Sequence, residues 1–299
     1  MSVIVPMGSM RAQVTLTPAE AKRLIAKAVI RLEAVKNALN DGIVAIHPST
    51  TTSFIIEELY GKFPTTGFVC GIVTPRGTCI SSDMLKTLVE GALSKPGEFR
   101  PWIIMRGKLH EDIKLEDILK KMDSDDVYIK TGNALDSEGN VGVFVGSPAG
   151  GTIGAAFSIC AAKGINLVIP IGLEKLIPIP IRKASMEAGI KRVNCSMGMP
   201  VGLLPINGTV ITELEAVKIL TGASAIPIGA GGVAGAEGAT TMILKGEETQ
   251  VKEAVKLVDS IKGTKLPPIS MPHCVDCMWP TCPSEGKAYT WNAAKFFKR

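Results

Sequence analysis

The chain has 299 residues, of which 46% are hydrophobic and 20% charged, enough to bury a large core as one domain or two. Its 33 basic and 28 acidic side chains give a net charge of +5, with no run of five like charges. With 5% aromatics, this balance argues against a nucleic-acid-binding stripe and fits a site for phosphate or carboxylate groups. The start, MSVIVPMGSMRAQ, has no basic segment ahead of its apolar residues, so no signal peptide is expected. The most apolar run, Gly164 to Ile181, is interrupted by Glu174, Lys175 and three prolines, so no membrane span is expected either. A cytoplasmic protein follows, and its seven cysteines read as thiols or metal ligands rather than disulfides.

In chain order, Thr17 to Leu39 predicts one long helix. Thr17 caps it, Pro18 suits the first turn, and Leu24, Ile25, Ala28, Val29, Leu32, Val35 and Leu39 recur at helical spacing. Asp41-Gly42 ends it. Ile43–His47 predicts a buried strand, followed by a hydroxyl-rich loop and a helix over Ser53–Tyr60. Strands are expected at Phe68–Val73, Thr78–Ser81 and Pro101–Met105, and helices at Asp83–Ala92 and Leu115–Met122. Val127–Lys130 and Val141–Val145 predict two strands around a polar turn. Thr152–Lys163 predicts a helix that Gly164 stops, and Asn166–Ile171 another strand. Strands alternating with helices at this spacing predict βαβ units. The expected fold is α/β: an open, mostly parallel sheet with helices on both faces.

Past Asn207 the texture changes. Helices are expected at Thr212–Thr221 and Glu247–Lys262, and strands at Ala223–Ile228 and Thr240–Leu244, around the glycine loop Gly229–Gly238. That loop contains G-x-G-x-x-A, but a β-branched run follows it where a dinucleotide fingerprint requires a helix. The organisation read from this is an α/β domain over 1–206, a small α+β subdomain or an extension of the main sheet over 207–263, and a cysteine-bearing tail over 264–299.

Two stretches carry candidate chemistry. The first is His47-Pro48-Ser49-Thr50-Thr51-Thr52, between a strand and a helix start. Backbone N–H groups there, with the hydroxyls of Ser49, Thr50, Thr51 and Thr52, can hold a phosphate or carboxylate. The plainer alternative is a helix cap. The second runs from Val127 to Gly154. Its turn offers Asp136 as an acid/base and Lys130 as an anion or oxyanion partner, with Gly132 and Asn133 beside them. Ordinary turn chemistry is the alternative for Asp136. The glycine cluster Gly146, Gly150 and Gly151, with Thr152, supplies a second anion-facing helix start.

Together these segments resemble a known group. Asp41-Gly42-Ile43-Val44-Ala45-Ile46-His47-Pro48-Ser49-Thr50-Thr51 is similar to the phosphate loop of the superfamily of ribose-5-phosphate isomerase, glucosamine-6-phosphate deaminase, DeoR-type sensors and CoA transferases. Thr131 to Val141 resembles the glycine-acidic turn of the same group, which includes the initiation-factor-2B-like isomerases. The resemblance covers residues 18 to 190 or so. It implies a ligand crevice facing Gly146–Gly154, a small phosphorylated or acyl-CoA-type substrate, and a homo-oligomer. Asn133 stands where the relatives carry an aspartate, no Lys-Gly-Gly-Gly run is present, and no Glu-x-Gly stretch reads as the nucleophile element of a CoA transferase.

The tail is separate from that resemblance. Cys274, Cys277 and Cys282 form C-x2-C-x4-C, a spacing that lets two thiolates bind one metal from one turn and a third join them. Zinc and an iron–sulfur cluster both fit, with Pro283 after Cys282 leaning toward the cluster. His273, Cys70, Cys79 and Cys195 are the candidates for a fourth ligand, and free thiols are the alternative. Two functional classes result: an isomerase- or transferase-like enzyme, or a non-catalytic sensor of a small anionic metabolite with a metal-binding or redox-active tail.

Overall fold

A computed structural model describes residues 9–64, 70–82, 99–267, 269–271 and 273. The chain enters through strand β1 (Ser9–Leu16), helices α1 (Pro18–Val29) and α2 (Glu33–Asp41), β2 (Ile43–Ile46) and α3 (Thr50–Tyr60). A hairpin of β3 (Cys70–Thr74) and β4 (Gly77–Ile80) leads to β5 (Trp102–Met105), β6 (Lys108–His110), α4 (Leu115–Lys121) and β7 (Val127–Ile129). Next come β8 (Ala134–Leu135), β9 (Val141–Val145), α5 (Gly151–Lys163), β10 (Asn166–Pro170) and α6 (Ile181–Glu187). The chain closes with β11 (Gly202–Ile206), β12 (Thr209–Ile211), α7 (Glu213–Thr221), β13 (Ser224–Gly231), β14 (Ala239–Glu247) and α8 (Glu248–Ile261). The helix expected at Asp83–Ala92, the start of the strand expected at Phe68, and Cys274, Cys277 and Cys282 lie outside the described residues.

The expected α/β fold is present. The central sheet has six strands in the order β12-β10-β7-β2-β5-β6. β12, β10, β7 and β2 run parallel, and β5 and β6 extend the sheet antiparallel. Because side chains alternate along a strand, the short apolar runs feed two cores. Val44, Ile46, Val127, Ile129 and Val168 join Leu24, Ile25, Val35, Phe54 and Val217 on one face. Ala45, Tyr128, Leu167 and Ile169 join Ile118, Ile153 and Ala156 on the other. Helices therefore cover both faces. Among the described residues no helix is long and apolar enough to cross a membrane.

The helix expected over Thr17–Leu39 is two helices. Thr17 and Glu20 form the expected capping box and Pro18 takes the first turn. After Val29 the ladder tightens, with Arg31 N–H donating to Ala28 and Leu32 N–H to Val29. Leu32 is extended (ψ 137°), and α2 restarts at Glu33. Helical spacing persists across the break because both pieces bury the same stripe, so the apolar pattern alone does not reveal it.

The sheet of β13 and β14 is completed by a strand from the other end of the chain. β1 pairs antiparallel with β14 from Ser9–Glu247 to Leu16–Thr240, and β13 lies on the other side of β14. Leu16, Met242, Leu244 and Val251 belong to the same core as Val44 and Ile46. The glycine segment read as a loop begins as strand, since β13 reaches Gly231 with an irregularity between Pro227 and Gly229.

Asp126 sets the level of the parallel strands. Its buried carboxylate accepts the N–H of Ile43 at 2.7 Å and that of Asp123 at 2.9 Å, tying the start of β2 to the start of β7. Truncation leaves two donors in a poorly hydrated place. Asp126→Ala should lower unfolding stability by about 2–4 kcal/mol in urea titration, and a loss below about 0.5 kcal/mol would exclude this role.

Candidate functional site

The carboxyl ends of β2, β7, β10 and β12 lie at one end of the sheet, the place where open α/β sheets form ligand crevices. β2 delivers His47 and the hydroxyl loop, β7 delivers Lys130 to Asn133, β10 delivers Glu174 and Lys175, and β12 delivers Thr212 and Glu213.

The hydroxyl loop divides its labour. Ser49 is the N-cap of α3, its Oγ accepting the N–H of Thr52 at 3.1 Å. Thr52 donates its hydroxyl to the His47 carbonyl at 2.8 Å, and Ser53 donates to the Ser49 carbonyl at 2.6 Å. These hydroxyls shape the loop. Thr50 is half-buried, and Thr51 is 1% exposed with no hydrogen-bond partner for its Oγ1. A buried hydroxyl without a partner is costly, so Thr51 is the member of the loop best fitted to meet a ligand.

His47 joins this loop to the glycine cluster. Its Nδ1 faces the Pro48 carbonyl at 3.1 Å and its Nε2 lies 2.8 Å from Thr152 Oγ1. A carbonyl only accepts, so Nδ1 carries the proton and Nε2 accepts from the threonine hydroxyl. Burial and the Lys130 ammonium hold the imidazole pKa well below its usual value, which keeps the ring neutral. The ring stacks on Phe99 at 4.9 Å between centroids. Gly150 (φ 82°) and Gly151 (φ 62°) open α5 in the left-handed region, and a Cβ at Gly151 would meet nothing within 4 Å. Two helix N-termini are thus pinned together, with open space beside one of them. Gly146 lies farther along, half-buried beside Met199.

No protein-family model, curated protein or solved structure matches this chain. The chemistry of the site therefore rests on its own geometry.

The residues of the turn after β7 do other work than expected. Asp136 is saturated: Oδ1 accepts from Glu138 N, Asn140 N and Asn140 Nδ2, and Oδ2 from Ile181 N and Asn140 Nδ2, at 2.9 to 3.1 Å. Burial pushes its pKa up, but the donors from Ile181, Asn140 and Glu138 outweigh burial and hold it below the usual carboxylate value. A carboxylate so engaged is a turn anchor and a weak base. Asn133 is spent in a similar way, donating to the Gly71 carbonyl at 2.8 Å and accepting from Phe144 N at 2.9 Å. Gly132 is glycine for packing, because a Cβ there would sit 2.2 Å from Val141 Cγ1. Lys130 is buried, with Nζ donating to the Thr131 carbonyl at 3.2 Å beside His47.

The charged centre lies where the sequence reading placed no site. Lys22 of α1 pairs with Glu174 at 2.5 Å, both side chains largely buried. Lys175 Nζ donates to the Gly132 carbonyl at 2.7 Å. Glu213 accepts the N–H of Leu173 with both oxygens, at 3.1 and 2.9 Å. Burial pushes the Lys175 pKa down to about 8, against the opposing pull of Glu174 and Glu213. Burial, reinforced by Glu174, pushes Glu213 up to about 7. Glu174 is held down, the pull of Lys22 and Lys175 exceeding its burial, and its Oε2 has no hydrogen-bond partner. The sequence did carry a signal. Lys22 falls on the apolar stripe of α1, and Glu174-Lys175 interrupts the most apolar run of the chain just past a strand. Among the described residues, no group of three or more His, Cys, Asp and Glu side chains could hold a metal ion.

The anchoring role of Asp136 has a pH signature. Its folded pKa is depressed, so its contribution is present above the unfolded value near 4 and is lost as pH falls through the folded value. Asp136→Asn should lower thermal stability at pH 7, and the difference from wild type should shrink below about pH 4. A variant as stable as wild type at pH 7 would show that the anchor is dispensable.

Proposed function

We propose that the protein binds a small phosphorylated or acyl-CoA-type metabolite at the carboxyl ends of β2, β7, β10 and β12 and acts on it as an isomerase or transferase. The observation that carries this reading is the group of buried ionisable side chains at those ends, with Glu213 near 7 and Lys175 near 8. Groups that titrate close to neutral pH can take up a proton and return it within one turnover. The anion would be received by the amides that open α3 and α5, by Thr51 Oγ1 and by Lys130. Glu213 would serve as the acid/base and Lys175 would steady developing oxyanion charge. Asp136, the carboxylate singled out by the sequence, has no part in this scheme, because its lone pairs are already filled. The resemblance to the sugar-phosphate isomerase and CoA-transferase superfamily supports the substrate class. A cytoplasmic location accords with the thiol-bearing composition, and a homo-oligomer with the resemblance.

A second reading is a sensor that binds the anion without turning it over. The saturation of Asp136 and Asn133, where the relatives place acidic chemistry, favours it.

A panel of sugar phosphates and acyl-CoA esters, assayed for turnover and for a rise in melting temperature, separates the readings. The enzyme reading expects turnover of at least one compound, with kcat/KM rising near pH 7 and falling near pH 8. Lys175→Met should remove the alkaline limb, and Thr51→Val should weaken binding of the same compound about tenfold. Binding without turnover establishes the sensor, and a panel without effect on either measure refutes both.

A further inference from the structure

The connection from β10 to β11 carries a surface that the crevice does not use. Arg182, Lys183, Lys191 and Arg192 are exposed on it, and Glu187 is the only acidic residue between Arg182 and Met197. Large apolar side chains stand among these cations. Met186 is 60% exposed, Met197 48% and Val193 45%. Apolar side chains exposed singly are ordinary, but a group of them among cations marks a contact surface.

The backbone gathers these residues. α6 ends at Glu187, and the Arg192 guanidinium returns to donate to the Met186 carbonyl. The Thr78 carbonyl of β4 accepts the N–H of Met199 at 2.8 Å, and Thr78 bridges to Gly198, which sets Met197 beside the β3–β4 hairpin. A Cβ on Gly77 would fall on the Met197 carbonyl, so the two backbones touch. Val73, opposite Thr78 in the hairpin, is 76% exposed and adds a fourth apolar group.

Charge and shape decide what meets this surface. A second copy docked by two-fold symmetry would set the cations against their own counterparts, which repel. A nucleic acid would find aliphatic side chains where it needs aromatic ones for stacking. An acidic protein would have to supply a fitted pocket for each projecting side chain. An anionic bilayer needs no fitted pockets. Its headgroups attract Lys and Arg, and the boundary with its acyl chains receives apolar side chains of any shape.

We propose that this surface docks the protein reversibly on an anionic membrane, with Val73, Met186, Val193 and Met197 entering the headgroup layer and Arg182, Lys183, Lys191 and Arg192 held at the lipid phosphates. The long stems of the basic side chains lie along the apolar layer while their charges stay at its edge. The Asp136 carboxylate accepts the N–H of Ile181 at the start of α6, so the docked face adjoins the turn after β7.

Sedimentation of the full-length protein tests this, with vesicles of phosphatidylcholine alone and of phosphatidylcholine containing about one third phosphatidylglycerol. Wild type should sediment with the anionic vesicles at low salt, stay in solution with the neutral ones, and be released as salt is raised. Lys183→Glu with Lys191→Glu, folded by circular dichroism, should bind the anionic vesicles about tenfold less. Met186→Gln with Met197→Gln should also bind less at the same salt. Both variants should keep the wild-type melting temperature. Equal binding to both vesicles overturns the proposal, as does unchanged binding in either variant. No binding to either vesicle overturns it and leaves the surface to an acidic protein. Self-association of wild type that the lysine variant loses overturns it in favour of a second copy.

Discussion

The ion pair between Lys22 and Glu174 is the contact on which the crevice depends. It bridges the first helix and the turn that leaves β10, with 2.5 Å between nitrogen and oxygen and little water near either group. A charge removed from water is tolerated only when another charge or a set of hydrogen bonds answers it. Glu174 therefore needs Lys22, and its charge in turn raises the proton affinity of Glu213 and of Lys175. The four side chains form one electrostatic unit assembled from three parts of the chain. Their protonation states are linked, so a proton gained at one site alters the others.

That unit exists because the backbone beyond a parallel strand has no ladder partner. The segments after β2, β7, β10 and β12 must find other ways to satisfy their polar groups. The chain uses local solutions. Ser49, Thr52 and Ser53 close the loop after β2, and Asn133 and Asp136 close the turn after β7. Glu213 takes the Leu173 N–H after β10. Where these solutions consume a side chain, it is lost to chemistry. Thr51 Oγ1 and Glu174 Oε2 are left over, buried without a hydrogen-bond partner.

His47 shows how a residue can organise a site without reacting in it. A neutral imidazole can donate through one nitrogen and accept through the other, which links the loop carrying Ser49 to the helix start carrying Thr152. Lys130 next to it discourages protonation, so the link persists across the neutral range. The resulting pair of helix N-termini is a positive surface with no mobile charge of its own.

Much of the fold was legible from local pattern. The apolar runs at Ile43–Ile46, Val127–Ile129 and Asn166–Pro170 are strands, and the Thr17 capping box opens a helix where its residues predict one. The hydroxyl loop and the glycine cluster are also local, and they lie at a helix start each, as their residue types require. What the sequence by itself determined is this set of elements, because propensity, capping and periodicity act over a few residues. Tertiary structure alone decided which polar residues hold the backbone and which stand buried beside other charges. Asp136 and Glu213 are both carboxylates near strand ends, and the former is filled by five hydrogen bonds while the latter is raised by burial and by a neighbour distant in sequence. The partnership of β1 with β14 has the same character. Hydrogen bonding and desolvation depend on neighbours brought close by folding, and no short window of sequence contains them.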